Sequence, residues 1–296
     1  MKKVILCLVV AATVLFAQQA NAQETQASSA KKGFYFKING GYNFAASNSQ
    51  HSTGETPIAI FPYPFYNGTE NLAGDMEWEV VDVNLGKGFN FGETVGYMFN
   101  SRFGAELEVD YTLGAKTETK VKALSGDYFK QSLTSNMVQF KPAFVLSAGY
   151  SKLNPYVKLG GIVGLGKIKQ EVQNKSGIDL NEVEAEAKGG VAFGYHAGIG
   201  ISYGITSNLS LFGEVNMNSL SYTPTEGKLT KYTVNGVDEL PTLNTSQKEY
   251  DYIEGNPYLL AFGGGATIDP TKPLRSPKTS YNYNTIGINI GVKYSL

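Results

Sequence analysis

The sequence predicts an all-β protein: an eight-stranded, antiparallel, up-and-down transmembrane β-barrel with long extracellular loops. Three observations predict it. Eight segments alternate apolar and polar residues with a period of two, their connections alternate between long and short, and aromatic residues collect near the segment ends. A membrane-spanning strand needs roughly 9–11 residues that turn apolar side chains to lipid and polar ones to the lumen, with aromatic girdles at both interfaces.

The composition agrees with a membrane barrel. Of 296 residues, 42% are hydrophobic and 17% are charged, whereas soluble domains typically have about 25% charged residues. The net charge of −1 provides no basic surface, so we predict no nucleic-acid partner.

The first 22 residues have the pattern of a secretory signal peptide. Lys2 and Lys3 precede an apolar run, residues 4–16, and Ala20-Asn21-Ala22 matches an A-x-A cleavage site. We expect a signal peptide at 1–22, a polar leader at 23–32 and the barrel at 33–296. Cleavage would remove Cys7, the single cysteine, which we interpret as an ordinary residue of the apolar run.

The last segment has the most regular alternation. From Ile286 to Leu296 every second residue is apolar or aromatic, and glycine, asparagine, lysine and serine lie between. Successive side chains of a strand point to opposite faces, so all of the apolar bulk lies on one side. The eight predicted strands are, in order, 33–44, 87–100, 102–113, 136–150, 156–167, 190–205, 209–219 and 281–296.

Two strand positions depart from this regular pattern, and one loop segment has a turn signal of its own. Alternation would point Glu93 at lipid, so we predict a bulge or twist near Gly92 that turns the carboxylate inward. Pro142 has no N–H for the ladder, so we expect a second bulge there. Asn235-Gly236 is a hairpin signal, which leaves ten strands open as an alternative, although we interpret this hairpin as an extension above the membrane.

Loop lengths and aromatic residues predict the orientation. Short connections are typical of periplasmic turns and long ones of extracellular loops. The predicted girdle near the short turns is Phe34, Tyr97, Phe99, Phe103, Tyr150, Tyr203 and Tyr294, and the girdle near the long loops is Phe44, Phe91, Tyr111, Phe193 and Tyr283.

With its signal peptide, eight alternating strands, unequal loops and C-terminal GVKYSL, the chain resembles small, porin-like outer-membrane barrels of the OmpA, OmpX and opacity-protein kind over residues 33–296. The resemblance implies a location at the cell surface, in the outer membrane of a Gram-negative bacterium. Many such barrels end in Phe, whereas this chain ends in Leu296. We expect a monomer without a cofactor. Its expected partners are outer-membrane lipid, the outer-membrane assembly machinery and an extracellular partner at the long loops.

The predicted inward face carries four lysines, four carboxylates and one histidine. Charges inside a narrow barrel must be paired or hydrated, because an unpaired buried charge is costly. We predict a structural charge network that does not conduct ions, with no catalytic and no metal site. Its members are Lys37, Glu106, Glu108, Asp110, Lys141, Lys158, His196, Glu214 and Lys293.

Three functions are compatible with these patterns. The favoured one is a non-enzymatic surface protein with a structural or partner-binding role. One alternative is a narrow transporter for small or apolar solutes. Another is a lipid- or peptide-modifying enzyme that uses His196, Glu214 and Ser202. The aromatic strings at 61–66 and 249–262 are interpreted either as interaction sites or as a lid.

Overall fold

The computed structural model describes residues 32–47, 66–254 and 269–296. The predicted signal peptide, nearly all of the polar leader and most of the first aromatic string lie outside these ranges. Helix is confined here to a 3₁₀ turn, Leu240–Thr242, and one turn of α-helix, Thr245–Lys248. No helix in these ranges is long and apolar enough to cross a membrane. The prediction of an all-β protein is confirmed.

Within the described residues, the strands pair into one sheet of 17. They are β1 (Gly33–Ala45), β2 (Tyr66–Glu70), β3 (Met76–Val80), β4 (Gly88–Met98), β5 (Phe103–Gly114), β6 (Thr117–Lys122), β7 (Tyr128–Ser147), β8 (Leu153–Ser176), β9 (Asp179–Lys188), β10 (Ala192–Gly204), β11 (Leu209–Tyr222), β12 (Glu226–Val234), β13 (Val237–Asp238), β14 (Glu249–Ile253), β15 (Leu274–Pro277), β16 (Tyr281–Asn282) and β17 (Thr285–Ser295).

Eight of these strands close into a ring in which every pairing is antiparallel. The order is β1, β4, β5, β7, β8, β10, β11, β17 and back to β1. The ring has a strand at each of the eight predicted positions. Short turns join β4 to β5, β7 to β8 and β10 to β11. The long connections all leave from the opposite end of the ring.

The two faces of the ring differ as the alternation predicts. Apolar side chains stand exposed on the outward face, for example Leu159 at 66% and Ile290 at 70%, whereas the inward face is polar and buried. Aromatic residues are exposed outward at both ends, including Phe103 and Phe193. Tyr283, predicted in a girdle, is instead 1% exposed. Residues an even number of positions apart along a strand share a face. Tyr283 has this spacing from Gly287, which faces inward, so Tyr283 also points to the interior.

The predicted bulge at Gly92 is wrong. Gly92 pairs with Asn39 of β1 and Asp110 of β5, and the register runs through Glu93 without a shift. Glu93 is exposed on the outward face. The glycine has a different role: a Cβ at Gly92 would lie 2.9 Å from the Asn39 side-chain nitrogen, so the glycine leaves room for that inward amide.

Pro142 does not shift the register either. The β7–β8 ladder stops after Phe140–Val163 and resumes at Ala143–Gly160 in the same register. On its other side Pro142 pairs with Leu107. The missing N–H therefore interrupts one ladder locally, and no extra residue is inserted.

Beyond the ring, the connections predicted as long loops fold into further strands. We call this part the extension: β2, β3, β6, β9, β12–β16, and residues 128–135 of β7 and 168–176 of β8. β7 and β8 run from the ring into the extension without a register shift, and β9 pairs with β8 and β12. Asn235 and Gly236 have φ values of 52° and 82° and join β12 to β13. This hairpin lies outside the ring, where it was predicted.

Candidate functional site

Lys158 is the centre of the charged interior. β5 points Glu106 and Glu108 into the ring, and β11 points Glu214 inward from the other side. The Lys158 ammonium lies 3.3 Å from Glu106, 2.7 Å from Glu108 and 2.9 Å from Glu214. All four side chains are 5% exposed or less. Gly198 on the neighbouring strand makes room for the lysine, because a Cβ there would lie 2.9 Å from Lys158 Cε.

Two further lysines extend this cluster. Lys141 pairs with Glu108 at 3.3 Å and Asp110 at 3.5 Å. Lys37 pairs with Glu106 at 2.6 Å, and its ammonium lies 5.0 Å from the Tyr156 ring centroid, 5.3 Å from that of Phe212 and 5.6 Å from that of Tyr35. The structure thus joins seven of the nine predicted residues through ion pairs: Lys37, Glu106, Glu108, Asp110, Lys141, Lys158 and Glu214.

Tyrosine hydroxyls complete the hydrogen bonding of these carboxylates. Tyr35 donates to Glu106 at 3.0 Å, and Tyr156 donates to Glu214 at 3.0 Å. The alternation places both tyrosines on the inward face, but neither was among the predicted site residues. A phenol beside a buried carboxylate is the signal that could have found them.

Lys293 and His196 are placed differently. Lys293 is half-buried, with its ammonium 4.1 Å from the Tyr35 ring centroid. His196 is 1% exposed, and its Nδ1 donates to the Asn218 Oδ1 at 2.7 Å. Its Nε2 has no hydrogen-bond partner among the described residues.

The candidate hydrolase residues do not form a triad. Ser202 lies six positions from His196 on β10, a separation of about 20 Å at ~3.3 Å per strand residue. Its hydroxyl donates to the Asn154 carbonyl. The amide of Asn218, and not Glu214, orients the His196 ring. A nucleophile and its base must be within hydrogen-bond reach, so these three residues do not provide the geometry of a hydrolase.

In the part of the chain that the structure describes, one group of buried side chains has metal-ligand chemistry. Ligand atoms of Glu108, His196 and Glu214 all lie within 4.8 Å of one another. The Lys158 ammonium already pairs with both carboxylates. A divalent ion would have to displace or face this ammonium inside a low-dielectric interior, so the three residues fit an ion-pair network better than a metal centre.

An apolar cluster spans the junction of the ring and the extension. Tyr222 is fully buried and donates hydrogen bonds to the carbonyls of Gly166 and Gly189. Its ring meets that of Tyr283 edge-on at 6.0 Å. None of the sequence patterns predicted this cluster. Its main members are Val83, Leu85, Leu133, Met137, Ile162, Ile168, Val172, Leu220, Tyr222, Tyr250, Tyr252, Tyr281 and Tyr283.

The extension contains a cavity of about 870 Å³. The side chains that line it come from β2, β3, β6, β7, β8, β9 and β12. The lining residues are Tyr66, Trp78, Thr119, Val121, Phe129, Val172, Asn174, Asn181, Val183 and Tyr232.

Comparison with known proteins identifies the family. The profile described as "Outer membrane protein beta-barrel domain" matches residues 8–237, most of the chain. The chain belongs to this family. This outer-membrane barrel protein is therefore located in the bacterial outer membrane, as predicted. A search of curated proteins finds no match.

Solved structures similar to this barrel protein include two of Ail and one of CarO2. Ail, the attachment invasion locus protein of Yersinia pestis, is 10% identical, covering 90% of this chain and 100% of that chain with a TM-score of 0.33. Ail in complex with the heparin analogue sucrose octasulfate is 8% identical over the same shares, with a TM-score of 0.32. CarO2 of Acinetobacter baumannii is 12% identical, covering 70% and 92%, with a TM-score of 0.28.

The outer face of the extension is charged and carries ion pairs. Glu171 accepts from Lys116 at 3.0 Å and lies 3.1 Å from Lys169. Hydrogen bonds from these two lysines lower the pKa of Glu171 to about 2. A hydrogen bond from Lys231 likewise lowers the pKa of Glu182. These pairs stabilise ionised carboxylates on a face that water reaches.

Proposed function

We propose that the ring is an eight-stranded, up-and-down barrel that spans the outer membrane, made from a precursor whose residues 1–22 are a signal peptide and 23–32 a polar leader. The outward face of β8 supports the spanning role. Leu153 and Leu165 are both exposed there, and Lys167 is the next outward residue. Twelve residue steps measure about 40 Å along a strand, or about 30 Å across at the usual tilt of ~40°, which is close to the thickness of the hydrocarbon core.

The function that follows is that of a closed, non-enzymatic membrane anchor that presents the extension to extracellular partners. The observation that carries this proposal is the filled interior. Ion pairs cross it at Lys158, and the apolar cluster around Tyr222 covers it on the side of the extension. An eight-stranded barrel is just wide enough for its own side chains to fill.

Electrostatics favours keeping this interior closed. Opposite charges about 4 Å apart attract by roughly 4 kcal/mol at an effective dielectric constant of 20, before desolvation is subtracted. The net gain is smaller, but each carboxylate of the Lys158 cluster would be left with fewer partners if the cluster opened. A partly opened state is therefore disfavoured.

A narrow conduit for small solutes remains the second candidate, because the inward face also carries polar groups with spare hydrogen-bonding capacity. The side-chain oxygens of Asn39, Asn43 and Gln139 are buried and have no hydrogen-bond partner among the described residues. Such atoms could be hydrated, and connected hydration would provide a path past the lysines.

Conductance in planar lipid bilayers separates the two functions. We expect no steady current through the unmodified protein. Replacing Glu106 and Glu108 together with alanine leaves Lys37, Lys141 and Lys158 short of partners, so conductance should rise or stability should fall. Glu184→Ala/Glu186→Ala, a double change on the outer face of the extension, is the matched control and should do neither. Steady current through the unmodified barrel would favour the conduit. So would a Glu106/Glu108 double variant whose conductance and stability are both unchanged.

A further inference from the structure

The cavity in the extension has the construction of a ligand site. Its floor is buried, with Thr119 and Val172 each 3% exposed and Val183 7% exposed. Its entrance is accessible, with Trp78 59% exposed and Asn174 also exposed. A volume of about 870 Å³ falls within the range of roughly 300–1,000 Å³ found for small-molecule sites.

Trp78 packs against Gly68 and Tyr66 at this entrance. It pairs with Gly68 across β2 and β3, and its indole covers the glycine so closely that a Cβ there would lie 2.9 Å from the ring. The Tyr66 ring lies 6.2 Å away in an edge-on arrangement. An indole that is already packed on one face loses less conformational entropy than a free one when a ligand stacks on its exposed face.

The lining selects against charge. All of the described lining residues are uncharged: four are aromatic, three are valines, and the polar ones are a threonine and two asparagines. The charged side chains of the same strands point to the opposite face, where Glu171 pairs with Lys169 and Glu182 pairs with Lys231. A charged ligand would lose its hydration in this cavity without gaining an ionic partner.

The cavity is also separated from the interior of the ring. Below its floor, Gln170 donates to Gln131 at 3.4 Å. Leu133 and Ile168 follow, at 1% and 0% exposure. A molecule bound here would therefore remain on the outer side of the apolar cluster and would not enter the charged interior.

We propose that this cavity binds an uncharged small molecule that has an apolar ring body and a hydrogen-bonding group. The ring body lies between Trp78, Phe129 and Tyr232, and the polar group meets the amides of Asn174 and Asn181 at the entrance. This inference rests on one part of the proposed function, the display of the extension at the cell surface, because an extracellular ligand must be able to reach the cavity.

The test exploits the single tryptophan of the chain. In lipid nanodiscs, the uncharged ring compound N-phenyl-1-naphthylamine should quench Trp78 emission in a saturable way, above the linear background caused by partition into lipid. Its sulfonated analogue, 1-anilinonaphthalene-8-sulfonate, should bind at least about tenfold more weakly, because one desolvated charge costs more than 1.4 kcal/mol.

Variants link the binding to the cavity. Val183→Phe fills the floor and should abolish saturable quenching. Tyr232→Ala removes one aromatic wall and should weaken binding about three- to tenfold. Tyr195→Ala, which removes a ring exposed on the outside of β10, is the matched control and should bind like the unmodified protein. Circular dichroism checks that each variant is folded.

Two results would overturn the proposal: quenching no larger than the lipid background, or saturable quenching that persists unchanged in both cavity variants. Equal affinity for the sulfonated analogue would overturn the uncharged class. These failures leave the closed anchor intact if bilayer recordings still show no current. A conducting barrel that still binds the compound would overturn the anchor function and leave the cavity assignment standing.

Discussion

At the scale of single residues, stability should depend most on Lys158, which pairs with three buried carboxylates. Lys158→Met keeps most of the side-chain volume but leaves negative charge uncompensated, so we expect a loss of about 3–5 kcal/mol in the free energy of unfolding. Lys169→Met is the matched control. Lys169 also has two carboxylate partners, at 3.1 Å and 2.8 Å, but it is partly exposed, so its loss should cost less than about 1 kcal/mol. Urea unfolding in lipid vesicles measures both, and equal losses would contradict the central role of Lys158.

Gly96 offers a second residue-scale test. A Cβ at this position would overlap the Tyr35 ring, which lies across the glycine to reach Glu106. Gly96→Ala should therefore displace the ring and cost about 1–3 kcal/mol, the usual range for overpacking. Gly213→Ala is the control, since nothing lies within 4 Å of a Cβ there. If the two alanine variants unfold at the same urea concentration, Tyr35 is not held as described.

The residue scale also shows how far the sequence could predict the interior. The period of two was sufficient to place Glu106, Lys141 and Lys158 on the inward face. It could not predict which charges meet, because Lys37 on β1 reaches Glu106 on β5, two strands away in the ring. Such contacts depend on the stagger of the strands and on side-chain rotamers. The prediction for Glu93 failed for a different reason. It gave more weight to keeping a carboxylate out of lipid than to the regular pairing of β4 with its neighbours.

At the scale of elements, the ring was predictable and most of the extension was not. The ring strands carry large apolar residues at alternate positions. β9 alternates too, with Val183, Ala185 and Ala187 between Glu182, Glu184 and Glu186, but its small buried residues and high charge led to its interpretation as a loop. The Asn235-Gly236 turn was identified because its chemistry is local. Pairing of β9 with β8 and β12 is not local, and a single sequence does not display it.

Acid should loosen the extension at its outer face. The pKa of Glu171 is lowered to about 2 from the ordinary 4.5 by hydrogen bonds from Lys116 and Lys169, and that of Glu182 is also lowered. Carboxylates with a lowered folded-state pKa stabilise the fold above the ordinary pKa, and this contribution is lost as the pH falls through the lowered one.

We therefore expect Trp78 emission to change as the pH is lowered from about 5 to about 2. The change should be modest and should shrink at high salt, because these pairs are exposed and screened. Glu171→Gln should reduce the pH dependence, whereas Glu79→Gln, in an exposed residue of β3 for which no ion pair is described, should retain it. A profile that is insensitive to both salt and Glu171→Gln would show that the ion pairs do not stabilise the extension.

At the scale of the whole molecule, orientation connects the fold to its function. All described short turns lie at one end of the ring, and the extension lies at the other. If the extension faces outward, a cysteine at Val237, which is 60% exposed at the tip of the β12–β13 hairpin, should react with a membrane-impermeant maleimide on intact cells. A cysteine at Ser207, exposed in the turn between β10 and β11, should react only after the outer membrane is opened.

Cys7 lies in the predicted signal peptide, so the mature chain would add no background thiol. Both sites should label equally in detergent, which controls for reactivity. Labelling of Ser207→Cys but not Val237→Cys on intact cells would reverse the orientation and place the cavity in the periplasm, where an extracellular ligand could not reach it.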